Sequence, residues 1–212
     1  ALEHYPLDQP VDESRPLVQN SPQAYERTKS ISTEWVLSQK TNQFDVVILN
    51  PSAVLGPIDH KPSLTGSLLI KMCRGKIPGL IPGGYNWVDV RDVADAAANA
   101  IKSGKSGENY ILSGNWHSLK EYAEILQEVK GKKISKIVLP FWVARIGVPF
   151  IHIWSILTNQ QPLYTNESLD IVREGNKSIL NGKARKELGF SPRPLSDTLK
   201  DSFIWFKENN YI

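Results

Sequence analysis

The run DVVILN, at positions 45 to 50, constrains the fold of this chain more than any other short stretch. It consists of β-branched and apolar residues, it follows a helix-forming segment, and it stops at Pro51. An apolar run of this kind, between a helix and a Gly/Pro loop, is typical of a buried parallel strand. The chain is therefore predicted to contain a parallel β-sheet with helices packed on it.

The rest of the chain continues this alternation of strands and helices. The pattern predicts helices at about 21–40, 67–75, 87–104 and 119–131, strands at 108–114 and 134–140, and two short helices around the SPRP turn at 191–194. Residues before Ser21 and the segment PSAVLGP (51–57) are predicted to be loops, with Ser21 and Asp89 as helix N-caps. Alternating strands and helices predict the α/β class, although only two or three strands are convincing.

Composition limits the kinds of function. A length of 212 residues with 41% hydrophobic content is enough for one domain, or for one large and one small lobe. The net charge is only +3 and the basic residues are interspersed with acidic ones, so nucleic acid is not an expected partner. Cys73 is the sole cysteine and the four histidines are scattered, so neither a disulfide framework nor a metal site is expected.

The apolar stretch 137–157 is the one segment with the length of a membrane span. Pro140, Arg145, Pro149 and His152 interrupt it, which makes a spanning helix costly. Buried or pocket-lining helices are the favoured interpretation, with association at a membrane surface as the less favoured alternative. No secretory signal opens the chain, so a cytoplasmic location is expected.

Chemistry enters with YERTK, from Tyr25 to Lys29. Residues four apart share one face of a helix, so the phenol and the ammonium group can point into the same space. A nearby ammonium group favours loss of a phenol's proton, and such a pair can pass a proton to a substrate while a nicotinamide exchanges hydride. The spacing alone leaves two interpretations open, a proton-transfer pair and two polar residues on a helix surface.

Four motifs in order favour the first interpretation. They are PxxYERTKxxxxE from Pro22, FDVVILNPSAVLGP at 44–57, NWVDVRDVADAAANAI at 86–101 and KARKELGFSPRPLSDTLKDSFIWF at 183–206. Together they resemble the extended short-chain dehydrogenase/reductase family, in particular its NAD-dependent epimerase/dehydratase group with dihydroflavonol-reductase-like members. The resemblance implies the carboxyl-terminal part of a Rossmann-type doubly wound sheet, formed by 1–60 and 85–115, and a substrate-binding lobe formed by 61–84 and 116–212.

The resemblance also implies roles for individual residues. Tyr25 would be the catalytic acid/base, and Lys29 would bind the ribose of NAD or NADP and favour the deprotonated tyrosine. The cofactor would further contact the loop after the strand, at Pro51, Ser52, Ala53 and Val54. The substrate, a small molecule with a carbonyl or secondary alcohol, would be nucleotide-sugar, sterol-like or flavonol-like.

Other positions carry weaker predictions. Ser67 and Arg91 are candidate substrate contacts, and a salt-bridged or solvated Arg91 is the alternative. Asp89 and Asp92 are predicted to be structural. Arg193, in the SPRP turn, is predicted to be solvated or to hold an anionic group.

Two features of the family are missing from the sequence. It has no GxxGxxG turn for a pyrophosphate, and no serine or threonine at the end of a strand ahead of Tyr25. The chain is therefore expected to be part of a longer protein, to bind NAD(P) poorly on its own and not to turn over. Its expected partners are the missing amino-terminal half or a second copy, as in a homodimer. The alternative function is a non-catalytic binding or regulatory protein of the same fold.

Overall fold

The computed structural model describes residues 2–158, 169–170, 172–173 and 175–212, with side chains described outside 150–158. The helices are α1 (Ala24–Ser38), α2 (Leu64–Cys73), α3 (Val90–Ser103), α4 (Leu119–Lys130), α5 (Phe141–Thr158), α6 (Gly182–Leu188) and α7 (Leu195–Glu208). The strands are β1 (Val47–Pro51), β2 (Ala53–Leu55), β3 (Gly84–Asp89), β4 (Glu108–Leu112) and β5 (Trp116–Ser118). The α/β class is confirmed.

The strands form two small sheets. In the first, β1 and β4 are parallel, and Pro51 lies opposite Leu112 at their carboxyl ends. In the second, β3 lies between β2, which is parallel to it, and β5, which is antiparallel. The chain passes from β1 into β2 through Ser52 alone, and the Ser52 amide donates to the carbonyl oxygen of Leu112 at 3.2 Å. Ser52 therefore lies at the junction of the two sheets.

Strands β2, β3 and β5 were not predicted from the sequence. The segment PSAVLGP, predicted as a loop, contains β2. Trp87 and Val88, predicted as the start of a helix, belong to β3, and residues 116–118 carried no strand prediction. Strand β3 is almost wholly buried on both faces, so it lacks the alternation that marks a half-buried strand. The capping prediction for Asp89 is confirmed, because its carboxylate accepts the Arg91 amide at 2.8 Å where α3 begins.

Three other elements also differ from the predictions. Helix α1 begins at Ala24 with Gln23 as its N-cap, so the prediction of Ser21 as the cap is wrong. The Ser21 hydroxyl instead accepts the Gln23 amide at 3.1 Å and donates to Glu26 at 2.6 Å. Helix α2 begins at Leu64, three residues before its predicted start. The segment 134–140, predicted as a strand, makes only a single parallel bridge, between Val138 and Leu80.

The buried side chains form two cores. The first lies between the second sheet and helices α2, α4 and α7, where the rings of Trp87 and Tyr122 are 4.7 Å apart. The second lies between the first sheet, α3 and α6, and it includes Tyr110, Ala184 and Leu188. Helix α6 thus packs with the β1–β4 sheet, whereas the predicted division of the chain placed residues 182–188 in the substrate-binding lobe.

Gly114 lies where the chain passes closest to β3. A Cβ atom at this position would be 1.6 Å from the carbonyl oxygen of Trp87, and backbone atoms cannot swing aside as a side chain can. We expect Gly114→Ala to lower the free energy of unfolding by about 2 kcal/mol, measured by urea denaturation. The control is Gly147→Ala, because in the described part of the chain no atom outside its chain neighbours and its own helix backbone lies within 4 Å of the added methyl, and alanine favours a helix. Equal urea midpoints for the two variants would contradict the close approach.

Candidate active site

Tyr25 and Lys29 lie one turn apart on α1 and face the same side. The Lys29 ammonium nitrogen is 5.8 Å from the centroid of the Tyr25 ring. The Tyr25 side chain is 67% exposed, so its hydroxyl is accessible to a ligand. The helix thus presents a phenol and an ammonium group together on an open face.

A cavity of about 280 Å³ opens beside the first turn of this helix. Gln23, the N-cap residue of α1, and Glu26 in its first turn line one wall. The floor is the end of β1 and the step into β2, with Asn50, Pro51, Ser52 and Ala53. Carboxyl ends of parallel strands are where α/β proteins bind ligands, and the cavity is close to the small end of the usual size range for ligand pockets.

Two buried polar atoms in this cavity lack hydrogen-bond partners within the described part of the chain. They are the hydroxyl oxygen of Ser52 and the side-chain carbonyl oxygen of Gln23. A buried polar group without a partner costs about 1–3 kcal/mol, so such atoms are rare unless a ligand or water satisfies them. The cavity is therefore suited to a polar ligand.

Asn176 holds the opposite wall together. It is buried, and its amide nitrogen donates to the carbonyl oxygens of Gln9 at 2.8 Å and His4 at 3.2 Å. The Asn86 amide donates to the Asn176 carbonyl at 3.0 Å. Asn176 thus ties the amino-terminal loop to β3 around the cavity. Sequence reasoning missed it, because a hub of contacts between residues 90 to 172 positions apart leaves no local motif.

The model of the NAD dependent epimerase/dehydratase family matches residues 2–113, more than half of the chain. The chain belongs to this family. The family resemblance found from the sequence motifs is thereby confirmed, and the α/β fold with its parallel strands is the family's Rossmann-type fold.

Two curated relatives show the range of names within the family. Over 197 residues the chain is 30% identical to a Synechocystis protein named as a candidate dihydroflavonol 4-reductase, covering 89% of this chain and 56% of the relative. Over 192 residues it is 27% identical to sterol demethylase protein B of Methylococcus capsulatus, a match that covers 89% of this chain and 58% of the relative.

Two solved structures share the fold. A nucleoside-diphosphate-sugar epimerase from Pseudomonas aeruginosa matches all of this chain with a TM-score of 0.76 and 25% identity, over 65% of its own length. The dTDP-glucose 4,6-dehydratase of Bacillus anthracis, solved with NAD, matches 96% of this chain with a TM-score of 0.65 and 20% identity, over 57% of its own length. The chain spans less than two thirds of each of these relatives.

Three of the four predicted cofactor contacts lie in the cavity lining. Pro51, Ser52 and Ala53 line the cavity, and the unpaired Ser52 hydroxyl offers a hydrogen bond to a polar group such as the carboxamide of a nicotinamide. Val54 differs from its three neighbours. It packs against the second core, and its carbonyl oxygen accepts the Thr65 hydroxyl at 2.6 Å.

The two candidate substrate contacts of this family member lie apart from the cavity lining. Ser67, on α2, donates its hydroxyl to the carbonyl oxygen of Pro62 at 3.3 Å. The Arg91 guanidinium is held by Asp89 and Asp201, each at 2.7 Å. Hydrogen bonds to Asp89 first, and to Asp201, raise the Arg91 pKa above its usual range. A substrate role for either residue stays a prediction.

Arg193 forms an ion pair, so the prediction of a simply solvated arginine is wrong, and the anionic group that it holds is a carboxylate of this chain. Its guanidinium pairs with the buried Asp92 at 2.6 Å, and its amide donates to the same carboxylate at 2.8 Å. Arg193 therefore fastens the SPRP turn to the first turn of α3. Asp92 has the structural role that the sequence predicted.

The remaining reactive groups have structural surroundings. Cys73 is buried, and this burial raises the pKa of its thiol to about 11, so it is not a thiolate at neutral pH. Within the described ranges, no cluster of three or more His, Cys, Asp or Glu side chains is placed to hold a metal ion. Nor does the described part of the chain contain a helix with both the length and the apolar character to cross a membrane.

Proposed function

We propose that this chain supplies the proton-transfer part of an NAD(P)-dependent oxidoreductase or epimerase/dehydratase. Its substrate would be a small molecule with a carbonyl or secondary alcohol, of the nucleotide-sugar, sterol-like or flavonol-like kind. The observation that carries the proposal is the pairing of Tyr25 and Lys29 on one open helix face, with the ammonium nitrogen 5.8 Å from the ring centroid. Tyr25→Phe tests it, because this change removes only the hydroxyl that would carry the proton.

The chemistry of the pair follows from its groups. In the reducing direction the Tyr25 hydroxyl donates a proton to the substrate's carbonyl oxygen, and in the oxidising direction the phenolate takes a proton from the alcohol. The Lys29 ammonium group stabilises the phenolate that forms in the reducing direction. When bound, the nicotinamide supplies or accepts the hydride.

Positioning of the cofactor would fall to the same helix and the neighbouring loop. Lys29 would donate to the hydroxyls of the nicotinamide ribose. Residues 51–53 would lie along the nicotinamide, with the Ser52 hydroxyl, which has no partner in the described part of the chain, hydrogen-bonded to it. This arrangement would hold the hydride-carrying carbon on the side of the cavity that Tyr25 serves.

Ser52→Ala tests whether the Ser52 hydroxyl serves to bind the cofactor or to stabilise the fold. Because the Ser52 oxygen has no protein partner in the described ranges, we expect the variant to unfold at the same urea concentration as the wild type or a higher one. We expect its affinity for NAD(P) to fall by about tenfold, through loss of one hydrogen bond. Fluorescence titration of the reduced cofactor measures this. Ser113→Ala is the control, since the buried Ser113 hydroxyl bonds the Ile179 carbonyl at 2.7 Å and its loss should cost stability.

The complete protein would cover surfaces that this chain leaves open. Within the described residues β1 pairs only with β4, so one edge of β1 is unpaired. Helix α1, which contacts β1, exposes Ile31 and Trp35, and Phe44 ahead of β1 is also exposed. An unpaired strand edge and exposed apolar side chains are both surfaces that another segment usually covers. We assign that role to the remaining part of the longer relatives, with a second copy as the alternative, and turnover to the complete protein.

A further inference from the structure

A cluster of positive charge forms where α2 and α4 end. The Lys130 ammonium group donates to the carbonyl oxygen of Cys73, which ties the carboxyl ends of the two helices together. The two segments that meet there, 71–80 and 128–140, contain seven basic residues and one acidic residue, the exposed Glu128. This basic cluster consists of Lys71, Arg74, Lys76, Lys130, Lys132, Lys133 and Lys136.

The lysines of the basic cluster are close to one another. Lys132, Lys133 and Lys136 line one shallow depression with Gln127 and Gly131. On the α2 side, burial and then the neighbouring charge of Lys76 lower the pKa of Lys71. Like charges gathered in this way repel one another, so the surface favours an anionic partner.

An apolar face lies beside the basic cluster. On α5, Phe141, Ala144 and Val148 pack against the first core. The opposite side of the helix carries Trp142, which is 66% exposed, and Ile146, which is 61% exposed, and the preceding segment exposes Ile137 and Val138. A surface helix normally has polar residues on its outward side. We call Ile137, Val138, Trp142 and Ile146 the apolar face.

Backbone hydrogen bonds join the two surfaces. The Leu80 amide donates to the carbonyl oxygen of Ile137 at 2.7 Å, and the Leu139 amide donates to that of Leu80 at 2.8 Å. Residues 137–139, where the apolar face begins, therefore run alongside the segment 71–80 that carries Lys76. They directly follow Lys136. The positive and the apolar surfaces form one continuous patch.

We propose that this patch docks on an anionic lipid surface. Lysines attract phosphate and carboxylate headgroups, while exposed tryptophan and isoleucine enter the boundary between headgroups and acyl chains. Nucleic acid would satisfy the lysines but leave the apolar face in water. An apolar protein partner would leave the exposed lysines of the cluster without an anionic partner. The patch thus favours the membrane-surface interpretation that the sequence alone made the lesser alternative, and it does not depend on the proposed reaction.

Vesicle flotation tests the proposal on the protein as it is naturally produced. We expect flotation with vesicles of phosphatidylcholine mixed with phosphatidylserine, weakened by salt, and little with phosphatidylcholine alone. Changing Lys132, Lys133 and Lys136 together to glutamine should weaken binding by roughly 100-fold, since each lysine contributes about fivefold. The matched control changes the exposed Lys102, Lys186 and Lys207 to glutamine, with the same loss of charge elsewhere, and should keep the binding.

A second pair of substitutions tests the apolar face. The double variant Trp142→Gln, Ile146→Gln should lower the vesicle affinity that remains at high salt by more than about tenfold. Its urea midpoint should stay close to that of the wild type, because both side chains are exposed. Three results would overturn the proposal: no flotation with the anionic vesicles, equal losses in the lysine variant and its control, or lysine-dependent binding to duplex DNA without binding to vesicles.

Discussion

Replacing Tyr25 by phenylalanine is expected to lower the turnover of the complete protein by about 10²–10⁴-fold. The ring stays, so its contact with Lys29 stays, and the side chain is already two-thirds exposed, so folding should not change. Only the oxygen that would move the proton is lost. The affinity for NAD(P) should remain nearly the same, because residues 51–54 and Lys29 are untouched.

The measurement combines kcat/KM, followed through nicotinamide absorbance on nucleotide-sugars, hydroxysteroids and dihydroflavonols, with fluorescence titration of the reduced cofactor. Tyr211→Phe is the matched control, since it removes the same oxygen from a hydroxyl that bonds the carbonyl of His60. Lys29→Met should lower both cofactor affinity and turnover. Full turnover in the Tyr25 variant would rule out its role as the acid/base.

The second large effect is structural and concerns Asp89. Its side chain is wholly buried and bonds Arg91 through two side-chain contacts, at 2.7 and 2.9 Å, and through the Arg91 amide. We expect Asp89→Ala to lower the free energy of unfolding by about 3 kcal/mol, because the α3 cap is lost and a half-buried arginine loses its main partner. Asp89→Asn should lose about 1 kcal/mol less, since asparagine still caps a helix.

Asp89 also makes the free energy of unfolding depend on pH. Burial raises the pKa of Asp89. Hydrogen bonds from the Arg91 side chain and amide and from Thr198 lower it by more than burial raises it, so the pKa lies below its usual value. A folded-state pKa below the unfolded value of about 3.9 gives stability that is complete above that pH and is lost as the pH falls through the folded pKa. The difference between wild type and Asp89→Ala should therefore narrow below about pH 4.

Urea denaturation at neutral and acid pH measures both effects. Asp95→Ala is the control, because Asp95 lies exposed on the same helix and its loss should change the free energy by no more than about 0.5 kcal/mol. Two results would contradict the structural role of the buried carboxylate. One is a loss of unfolding free energy in Asp89→Ala as small as that in Asp95→Ala. The other is a stability difference between wild type and Asp89→Ala that widens toward acid pH.

Local patterns predicted the parts of the fold that depend on nearby residues. In α4, Leu119, Tyr122, Ala123 and Leu126 recur at the spacing of one helix face, and all four are buried. The helix also has a capping box between Ser118 and Glu121, whose partners are three residues apart. Periodicity and capping are local, so they can be read from one sequence.

Long-range pairing could not be predicted in this way. Strands β2 and β3 are recognisable only through their pairing with each other, and β3 has no polar face. In the candidate site, the sequence motifs named the helix pair and the loop after β1, and the structure places residues 51–53 in the cavity lining. Asn176 and the side-chain oxygen of Gln23 were missed, because their importance comes from partners, or missing partners, far along the chain.

The structure of the complete protein with bound NAD(P) tests the central proposal most directly. The predicted result has the Lys29 ammonium group on the nicotinamide ribose, residues 51–53 along the nicotinamide, and the Tyr25 hydroxyl facing the hydride-carrying carbon across the substrate site. A nicotinamide bound away from α1, with Tyr25 and Lys29 contacting neither cofactor nor substrate, would contradict it.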